Sequence, residues 1–304
     1  MELGMIGLGR MGANMTERLV RGGHRVVGYA RRPESVQKVV AFGADGAASL
    51  ETLVEKLAPP RIVWLMIPAG DPVDQAIQGL LSLLARGDII VDGGNSYYRD
   101  TLRRAHLLTE RGLRFVDVGT SGGIWGRTEG YSLMVGGERE TVEYLRPIFA
   151  TLAPAPDRGW GHVGPHGAGH FVKMVHNGIE YGMMQAMAEG FAILKRKTEF
   201  ALDLYQVAET WRFGSVVRSW LLDLTAAALR QDQELRDIAP QVADSGEGRW
   251  TVFEAIDLDQ AAPVITLALM QRLRSRDAYS FADRLVAVMR QQFGGHEVKH
   301  TEVR

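Results

Sequence analysis

The sequence of 304 residues contains no cysteine. This absence excludes a disulfide framework, a thiol nucleophile and any metal or cluster site with cysteine ligands. An excess of charge of one sign is also missing, because 35 lysines and arginines stand against 36 acidic residues, which gives a formal net charge of −1. We therefore expect neither a nucleic acid nor an anionic membrane as a partner, and any anion site must be local.

Long hydrophobic runs are absent as well. No stretch approaches the ~18 apolar residues that a membrane span needs. The N-terminus passes directly into the strand-like segment Leu3-Gly4-Met5-Ile6, without the basic and apolar regions of a signal peptide. Because 46% of the residues are hydrophobic and 23% are charged, the composition is that of a globular protein with a large core. We expect a soluble, cytoplasmic protein.

Two kinds of periodicity divide the chain. Up to about Gly164, short apolar runs alternate with amphipathic stretches, the pattern of βαβ units on a mostly parallel sheet. From about Gly167 onward the pattern is helical. We therefore predict an α/β domain over residues 1–165 and an all-α domain over residues 166–304, with the boundary in the glycine-rich stretch His162–Gly169.

The predicted elements follow from these patterns. The strand candidates are Leu3–Leu8, Arg25–Ala30, Ile62–Ile67, Asp88–Asp92, Arg114–Val118 and Tyr131–Val135. Helical patterns between them include Met11–Arg21, Pro72–Leu84 and Thr101–Arg111. The helix candidates of the C-terminal part are Phe171–Arg196, Ala201–Trp211, Ser215–Leu229, Ala261–Arg274 and Ser280–Gln292.

A glycine motif follows the first predicted strand and opens a helical pattern. Its residues are Gly7, Leu8, Gly9, Arg10, Met11 and Gly12, with the spacing G-x-G-x-x-G. In such βαβ units the first glycine permits a tight turn, the second lets the backbone approach a pyrophosphate, and the third allows close contact between helix and strand. We therefore predict a Rossmann-type domain that binds a dinucleotide. A glycine-rich turn without a nucleotide is the alternative.

The end of the second predicted strand discriminates between the nicotinamide cofactors. NAD enzymes place a carboxylate about 20 residues after the glycine motif, where it binds the ribose hydroxyls. This chain has Ala30, Arg31 and Arg32 there. No carboxylate repels a 2′-phosphate at this point, and two guanidinium groups are placed to bind one. We predict a preference for NADP over NAD, with a solvated arginine pair as the alternative.

A stripe of polar residues interrupts the apolar helix pattern that follows the predicted boundary. Lys173, His176, Asn177 and Glu180 are spaced so that all four lie on one helix face. Lysine and glutamate are rarely buried unless they are paired or functional, which favours a site over a solvated face. A salt network at a domain interface is the alternative.

Two residues of the stripe, Lys173 and Glu180, are suited to proton transfer. Burial and the positive charge of a nearby nicotinamide would both favour the neutral form of a lysine, which can then act as a general base. A glutamate in the same pocket can be kept protonated, ready to act as an acid. The stripe therefore predicts a pair of proton-transfer groups, Lys173 and Glu180.

Five blocks in the same order carry a family resemblance. They are the glycine motif, Asp92-Gly93-Gly94-Asn95-Ser96, Ser121-Gly122-Gly123, the run from Gly167 to Tyr181, and Phe293-Gly294-Gly295-His296. Together they resemble the decarboxylating 6-phosphogluconate dehydrogenases, in their short form, within the β-hydroxyacid dehydrogenase superfamily. The glycine motif and Ser-Gly-Gly are shared across the superfamily, whereas Asp-Gly-Gly-Asn-Ser and Lys-Met-Val-His-Asn-Gly-Ile-Glu-Tyr are typical of this member.

The resemblance implies the oxidative decarboxylation of 6-phosphogluconate to ribulose 5-phosphate and carbon dioxide, a step of the pentose phosphate pathway. NADP or NAD would accept the hydride, and no metal ion would take part. Lys173 matches the family's general base, and Glu180 matches the acid that protonates C1 of the enediol. The sugar acid would be held by Asn95, Ser121, Gly122, Gly123, His176, Asn177 and Tyr181, with Asn95 also near the nicotinamide.

The resemblance also implies a shared site in a homo-oligomer, a dimer or a tetramer. The family binds the substrate phosphate with an arginine on a later helix, which Arg272 fits best, with Arg274 as a rival. An arginine and a histidine from the C-terminal tail of the partner subunit complete that phosphate site, and Arg290 and His296 fit this pair.

Two departures from the long forms accompany the resemblance. The chain lacks their duplicated helical half, so their dimer geometry cannot be transferred. Ser245 also stands where the long forms carry a substrate-binding lysine, which leaves Arg249 as a substitute.

Two other functions stay open at this point. One is another β-hydroxyacid dehydrogenase that acts on a small substrate such as 3-hydroxyisobutyrate or tartronate semialdehyde. Such an enzyme would need Lys173 but neither Glu180 nor the phosphate-binding cations. The other is a non-catalytic NADP-binding sensor, which would not need Lys173. A metal site on His162, His166 and His170 is not expected, because Gly164 and Pro165 interrupt the helix that their spacing would need.

Overall fold

The chain folds as two compact units, which are described here from a computed structural model. The structure describes residues 1–295 and 297–299. The first unit is Met1–Gly178 and the second is Ile179–Arg304. The division between them falls within one long helix, so that the beginning of this helix belongs to the first unit and the remainder to the second.

The first unit is built on an eight-stranded sheet. Its strands are β1 Glu2–Ile6, β2 Arg25–Tyr29, β3 Asp45–Ala47, β4 Ile62–Leu65, β5 Ile89–Asp92, β6 Arg114–Ser121, β7 Ser132–Gly137 and β8 Trp160–Gly164. Their order in the sheet is β3-β2-β1-β4-β5-β6-β7-β8. All neighbours are parallel except β6 and β7, which are antiparallel. The predicted mostly parallel sheet is therefore confirmed.

Helices connect these strands, as the βαβ pattern predicts. They are α1 Arg10–Arg21, α2 Pro33–Val40, α3 Leu50–Glu55, α4 Asp71–Leu80, α5 Tyr98–Glu110, α6 Gly126–Glu129 and α7 Arg139–Leu152, and a 3₁₀ turn spans Gly123–Trp125. Strand residues alternate between two separate apolar cores, so that Ile62 and Trp64 face one core while Val63 and Leu65 face the other. Burial on both faces explains why these strands are continuous apolar runs in the sequence.

The strand order positions the functional site. The chain leaves β1 toward β2 on one side and reaches β4 on the other, so the order reverses between β1 and β4. In open parallel sheets, ligands bind at such a reversal, beyond the carboxyl ends of the strands. The glycine motif directly follows β1, and Asn95 and Ser121 lie at or just beyond the carboxyl ends of β5 and β6.

The second unit is helical, as predicted. It contains the remainder of α8 Ala168–Arg196 and then α9 Leu204–Trp211, α10 Trp220–Gln231, α11 Glu247–Asp257, α12 Pro263–Ser275 and α13 Phe281–Gly294, with a 3₁₀ turn at Thr198–Phe200. Its buried side chains form two small clusters, one around Phe191 and Leu222 and one around Tyr181 and Leu269. In the part of the chain that the structure describes, no helix is long and apolar enough to cross a bilayer.

The structure adds elements that the sequence patterns did not indicate. Strand β8 contains two glycines among five residues and is only partly buried, so it lacks the apolar run that marks the inner strands. Helix α10 begins at Trp220 rather than Ser215, because the Ser219 hydroxyl accepts a hydrogen bond from the Leu222 amide and caps the helix there. Strand β6 continues to Ser121, three residues beyond the predicted end.

Candidate active site

The three glycines of the dinucleotide motif are required for different reasons. Gly7 has φ +95°, and a Cβ atom on it would lie 2.3 Å from the Met66 carbonyl oxygen. A Cβ atom on Gly12 would lie 1.9 Å from the Gly7 carbonyl oxygen. A Cβ atom on Gly9 would have no neighbour within 4 Å, so this glycine leaves open space at the N-terminus of α1. This is the cradle that a pyrophosphate needs.

Two further residues of the motif, Leu8 and Met11, contact the protein interior. Leu8 is buried, and Met11 is partly buried against the same apolar core. Arg31 and Arg32 follow β2 after one residue, Ala30, and are both exposed at the place where the sequence predicts a 2′-phosphate site.

A buried carboxylate, that of Asp92, forms hydrogen bonds with the loop that carries Asn95. One carboxylate oxygen of Asp92 accepts a hydrogen bond from the Gly94 amide at 3.1 Å, and the other accepts one from the Ser96 hydroxyl at 2.7 Å. Arg104 of α5 is fully buried, lies 3.5 Å from Asp92 and donates to the Ser96 hydroxyl at 3.3 Å. Asn95 is exposed at the top of this loop.

Arg104 also joins this loop to the preceding α-helix. Its Nε donates to Asp74 at 2.8 Å, and its Nη2 donates to the Gly70 carbonyl oxygen at 3.1 Å. Hydrogen bonds from Arg104 and Arg103 hold the pKa of Asp74 below its ordinary value, against the opposing effect of burial. One guanidinium therefore connects the start of α4 to the loop after β5.

The Ser-Gly-Gly segment forms the end of β6 and the turn after it. Ser121 is the last residue of the strand, and the 3₁₀ turn begins at Gly123. Gly122 has φ +126° and Gly123 has φ +52°, conformations that residues with a Cβ rarely adopt. The two glycines therefore turn the backbone sharply at the carboxyl end of β6.

Lys173 is buried on the face that the sequence predicts. Its side chain retains 6% exposure, and its Nζ donates to Asn177 Oδ1 at 2.5 Å and lies 3.4 Å from His176 Nδ1. His176 Nδ1 lies 3.0 Å from the same amide oxygen. The structure thus brings Lys173, His176 and Asn177 together. Gly119 of β6 allows this approach, because a Cβ atom there would lie 2.3 Å from the Lys173 Cβ.

The second unit contains the next residues of the predicted set. Glu180 is half-buried on α8. Tyr181 is buried, and its hydroxyl lies 3.3 Å from the Ser245 hydroxyl. The Arg272 guanidinium carbon lies 3.3 Å from the centre of the Tyr181 ring, and its Nη1 donates to the Ala243 carbonyl oxygen at 3.0 Å. Tyr181, Ser245 and Arg272 therefore form one group.

Arg249, the substitute for the long-form lysine, and Arg274, the rival of Arg272, both have acidic partners. Arg249 donates to Asp244 at 2.7 Å, and Arg274 pairs with Asp283. Burial raises the pKa of Asp244, but hydrogen bonds from Arg249 and from the Gly246 amide outweigh it and leave the pKa lowered. Arg290 is exposed on α13, and His296 lies outside the described residues.

The three spaced histidines have separate partners. His162 Nε2 lies 2.9 Å from the Gly137 carbonyl oxygen, and His166 Nε2 lies 3.0 Å from that of Phe115. His170 Nδ1 lies 2.7 Å from the Thr101 hydroxyl. Within residues 1–295 and 297–299, no group of three or more histidine and acidic side chains is arranged to hold a metal ion.

The sequence patterns did not predict a role for three buried charged residues, Asp92, Arg104 and Asp117. Asp92 and Arg104 hold the Asn95 loop, and Asp117 is wholly buried within β6. A signal was present, since Asp117 stands between Val116 and Val118 in an apolar strand, where a charge needs a compensating partner. The partners themselves are far away in the sequence and become visible only in the fold.

Comparison with known proteins decides the family. Residues 2–163 match the NAD binding domain of 6-phosphogluconate dehydrogenase, and residues 169–302 match its C-terminal domain. The chain belongs to the 6-phosphogluconate dehydrogenase family. The predictions of the family, of a Rossmann-like domain followed by a helical one, and of an NAD(P)-dependent oxidoreductase are confirmed.

Relatives in the 6-phosphogluconate dehydrogenase family differ in length. A decarboxylating, NAD(+)-dependent 6-phosphogluconate dehydrogenase of Haloferax volcanii is 44% identical over 299 residues, which cover 98% of both chains. A decarboxylating 6-phosphogluconate dehydrogenase of Haemophilus influenzae is 40% identical, with 96% of this chain covered but only 62% of the relative. Nearly the whole of this chain is therefore matched by relatives of both lengths.

Solved structures agree with the 6-phosphogluconate dehydrogenase assignment. The Plasmodium falciparum 6-phosphogluconate dehydrogenase, studied alone, with NADP+ and with 6-phosphogluconate, superposes with a TM-score of 0.84 at 30% identity and covers all of this chain and 67% of its own. A Mycobacterium tuberculosis 3-hydroxyisobutyrate dehydrogenase has a TM-score of 0.71 at 21% identity and covers 88% of this chain and 90% of its own. The second likeness shows a shared fold.

Proposed function

We propose that the chain converts 6-phosphogluconate to ribulose 5-phosphate and carbon dioxide, with NADP as the hydride acceptor. The observation that carries this proposal is the buried Lys173, held by Asn177 and His176 on α8 of a chain from this family. A buried, oriented lysine is suited to proton transfer, because burial favours its neutral form. The step belongs to the pentose phosphate pathway and to gluconate metabolism.

The dinucleotide fits the residues at the end of β1. Gly9 leaves the space that a pyrophosphate would fill, and the amide groups at the N-terminus of α1 are directed toward it. When bound, the nicotinamide accepts the hydride from C3 of the substrate. Arg31 and Arg32 would bind the 2′-phosphate of NADP, and this pair supports NADP over NAD.

Lys173 and Glu180 would move the protons of the reaction. Lys173 Nζ would take the proton of the C3 hydroxyl as the hydride leaves C3. The product is a 3-keto acid, in which the C1–C2 bond breaks, C1 leaves as carbon dioxide, and the C3 carbonyl accepts the electron pair of that bond. The former C2 becomes C1 of the resulting enediol. Protonated Lys173 would hydrogen-bond the C3 oxygen during this step. Glu180 would then deliver a proton to C1 of the enediol.

Several polar groups would orient the sugar acid. Those in the first unit are Asn95, Ser121, Gly122, Gly123, His176 and Asn177, and Tyr181 lies in the second unit. Arg272 is favoured over Arg274 as the phosphate ligand, because Arg274 is already paired with Asp283. Arg272 is instead stacked on Tyr181, which belongs to the same proposed set.

We also propose a homo-oligomer in which the tail of one subunit completes the phosphate site of its neighbour. Arg290 and His296 are the residues assigned to this contact, of which Arg290 is exposed on α13. Large apolar side chains are exposed on the helices of the second unit, including Val264, Leu267 and Val286. Such surfaces mark sites of association. The cytoplasmic location expected from the sequence stays a prediction.

The deciding experiment is nicotinamide reduction by the purified protein with 6-phosphogluconate, with NADP and NAD compared and the released carbon dioxide captured. We expect one carbon dioxide per reduced cofactor and faster turnover with NADP. Turnover that favours NAD would retain the reaction and remove the role of Arg31 and Arg32. Reduction with 3-hydroxyisobutyrate or tartronate semialdehyde, and none with 6-phosphogluconate, would replace the proposal with the small-substrate function. Cofactor binding without any turnover would favour the sensor.

A further inference from the structure

Asp117 is a carboxylate that the proposed chemistry does not use. It lies in the middle of β6 and has no exposed surface. Its Oδ1 accepts a hydrogen bond from the Gly167 amide at 2.7 Å, and its Oδ2 accepts one from the His170 amide at 2.9 Å. Gly167 directly precedes α8, and His170 lies in its first turn. A residue fifty positions earlier in the chain therefore holds the start of the helix that carries Lys173.

These two bonds supply a cap that α8 lacks in its own sequence. The residue before the helix is Gly167, which has no side chain to accept from the free amides of the first turn. The Asp117 carboxylate takes that place, and its charge also suits the positive end of the helix dipole. Since the acceptor is fixed in the sheet, the cap determines where α8 begins relative to β6.

The packing below the cap leaves α8 little freedom to move. A Cβ atom on Gly169 would lie 2.5 Å from the Met134 carbonyl oxygen, and one on Gly136 would lie 2.6 Å from both Asp117 and the Gly169 amide. Two residues after Asp117, on the same face of β6, Gly119 meets the Cβ atom of Lys173. The helix thus rests on strand backbone at the cap and at Lys173 itself.

We propose that Asp117 is a positioning residue for Lys173. Its two hydrogen bonds fix where the first turn of α8 lies along the helix axis and how it is rotated about that axis. Lys173 lies one turn further on, against Gly119. The inference rests on the proposed function, since Lys173 must be the base for its position to affect turnover. A displacement of about 1 Å in a reacting group can lower a rate about 100-fold, so this attachment controls kcat rather than substrate affinity.

The test compares Asp117→Asn with a matched control, Asp88→Asn. Asparagine keeps the shape of Asp117 but presents an amide group to one of the two N–H donors, so one hydrogen bond is lost. Asp88 is also buried and also accepts from two backbone amides, those of Arg61 and Ala85, just before β5, where it pairs with the Arg61 guanidinium as well. Both variants should lose thermal stability, and only the first should alter chemistry.

The readouts are kcat, KM and the deuterium isotope effect with 6-phosphogluconate labelled at C3. For Asp117→Asn we expect kcat to fall about 10- to 100-fold, KM values to stay within about twofold, and the isotope effect to rise as hydride transfer becomes slower than the other steps. Amide hydrogen exchange should quicken at Gly167 and His170. For Asp88→Asn, kcat and the isotope effect should match those of the wild type.

The outcomes separate the inference from the proposed function. Quickened exchange with an unchanged kcat and isotope effect would make Asp117 a merely structural cap and overturn the inference. A wild-type protein that does not turn over 6-phosphogluconate would instead refute the proposed function, before any variant is compared. If Asp117→Asn does not fold, Gly167→Ala replaces it, because φ +85° strains an alanine there and its Cβ atom would lie 3.0 Å from Leu102 Cδ2. It should show the same rise in isotope effect with a smaller loss of kcat, and an unchanged isotope effect would overturn the inference.

Discussion

At the scale of single residues, alanine substitutions in the dinucleotide motif should affect stability and cofactor binding differently. Gly9→Ala adds a methyl group in open space, so the melting temperature should stay within about 2 °C of the wild type. The same methyl group would occupy the pyrophosphate position, so the Kd for NADP should rise at least about tenfold. Calorimetry and a cofactor titration measure the two effects.

Gly12→Ala is the matched comparison for this prediction. Its methyl group would meet the Gly7 carbonyl oxygen at 1.9 Å, and backbone atoms cannot move aside cheaply. We therefore expect this variant to lose both stability and cofactor binding. Destabilisation of Gly9→Ala as strong as that of Gly12→Ala would show that the space next to Gly9 is not open.

Lys173→Met tests the proposed base. Methionine keeps the length and apolar stem of the side chain and removes the ammonium group, so kcat should fall about 10²- to 10⁴-fold, the contribution typical of general acid–base catalysis. NADP should still bind with its wild-type Kd, as fluorescence titration would show. Lys195→Met is the control, because Lys195 is exposed at the other end of α8 and pairs with Glu234. Equal activity of the two variants would contradict the role of Lys173.

Arg31→Ala tests the basis of the cofactor preference. A hydrogen bond to a charged group contributes about 1.5–3 kcal/mol, so the KM for NADP should rise roughly 10- to 100-fold. The KM for NAD, which has no 2′-phosphate, should change less than about twofold in the same steady-state assay. Lys38→Ala removes an exposed cation from α2 and should leave both values unchanged. A parallel rise for NAD and NADP would refute phosphate recognition by Arg31.

At the scale of elements, the bond between Asp74 and Arg104 predicts a pH dependence of stability. Because the folded-state pKa of Asp74 is lowered, its contribution is present above the unfolded pKa of about 3.9 and is lost as pH falls toward the lower folded value. The melting temperature of the wild type should exceed that of Asp74→Asn at pH 6, and the difference should shrink below pH 4. A difference that is the same at pH 6 and pH 3 would show that the charge on Asp74 does not stabilise the fold.

Elements with a local signal could be predicted from the sequence. Strands β1, β2, β4 and β5 are apolar runs. The glycine motif predicts the turn into α1, because its members are neighbours in the chain. The polar stripe on α8 depends only on helical spacing, and the structure brings Lys173, His176 and Asn177 together as expected. In each case the residues that must cooperate lie within one element.

The rest depends on contacts between distant parts of the chain. The Asp117 cap joins β6 to α8, Arg104 connects three segments, and Arg272 stacks on Tyr181 from 91 positions away. Spacing in the sequence gives no information about such pairs. The choice between Arg272 and Arg274 illustrates this point, since both lie on α12 and only their partners in the fold distinguish them.

At the scale of the whole molecule, the apolar surface of the second unit bears on association. Within the described part of the chain, this unit has two small buried clusters, whereas Ile193, Phe213, Val264 and Leu267 are each exposed by more than 60%. A helical domain with so much apolar surface outside its core is typical of a protein that associates. The proposed oligomer would bury such residues.

A mixing experiment tests the shared site that this association would create. Lys173→Met inactivates the catalytic centre of its own subunit, whereas Arg290→Ala would inactivate the site of its neighbour. If a dimer shares its sites, each mixed dimer contains one site with both defects and one with neither. Random reassociation should therefore restore about a quarter of the wild-type activity, since half of the dimers are mixed and each has one intact site of two.

The control for this experiment is each variant dissociated and reassociated alone, which should stay inactive. If mixing restores no activity although mass spectrometry of the mixture shows mixed dimers, Arg290 acts within its own subunit. If Arg290→Ala retains full activity by itself, the substrate phosphate is bound without the neighbouring tail. Arg272 would then have to supply most of the positive charge from within one subunit, and Arg272→Ala should raise the KM for 6-phosphogluconate far more than Arg290→Ala does.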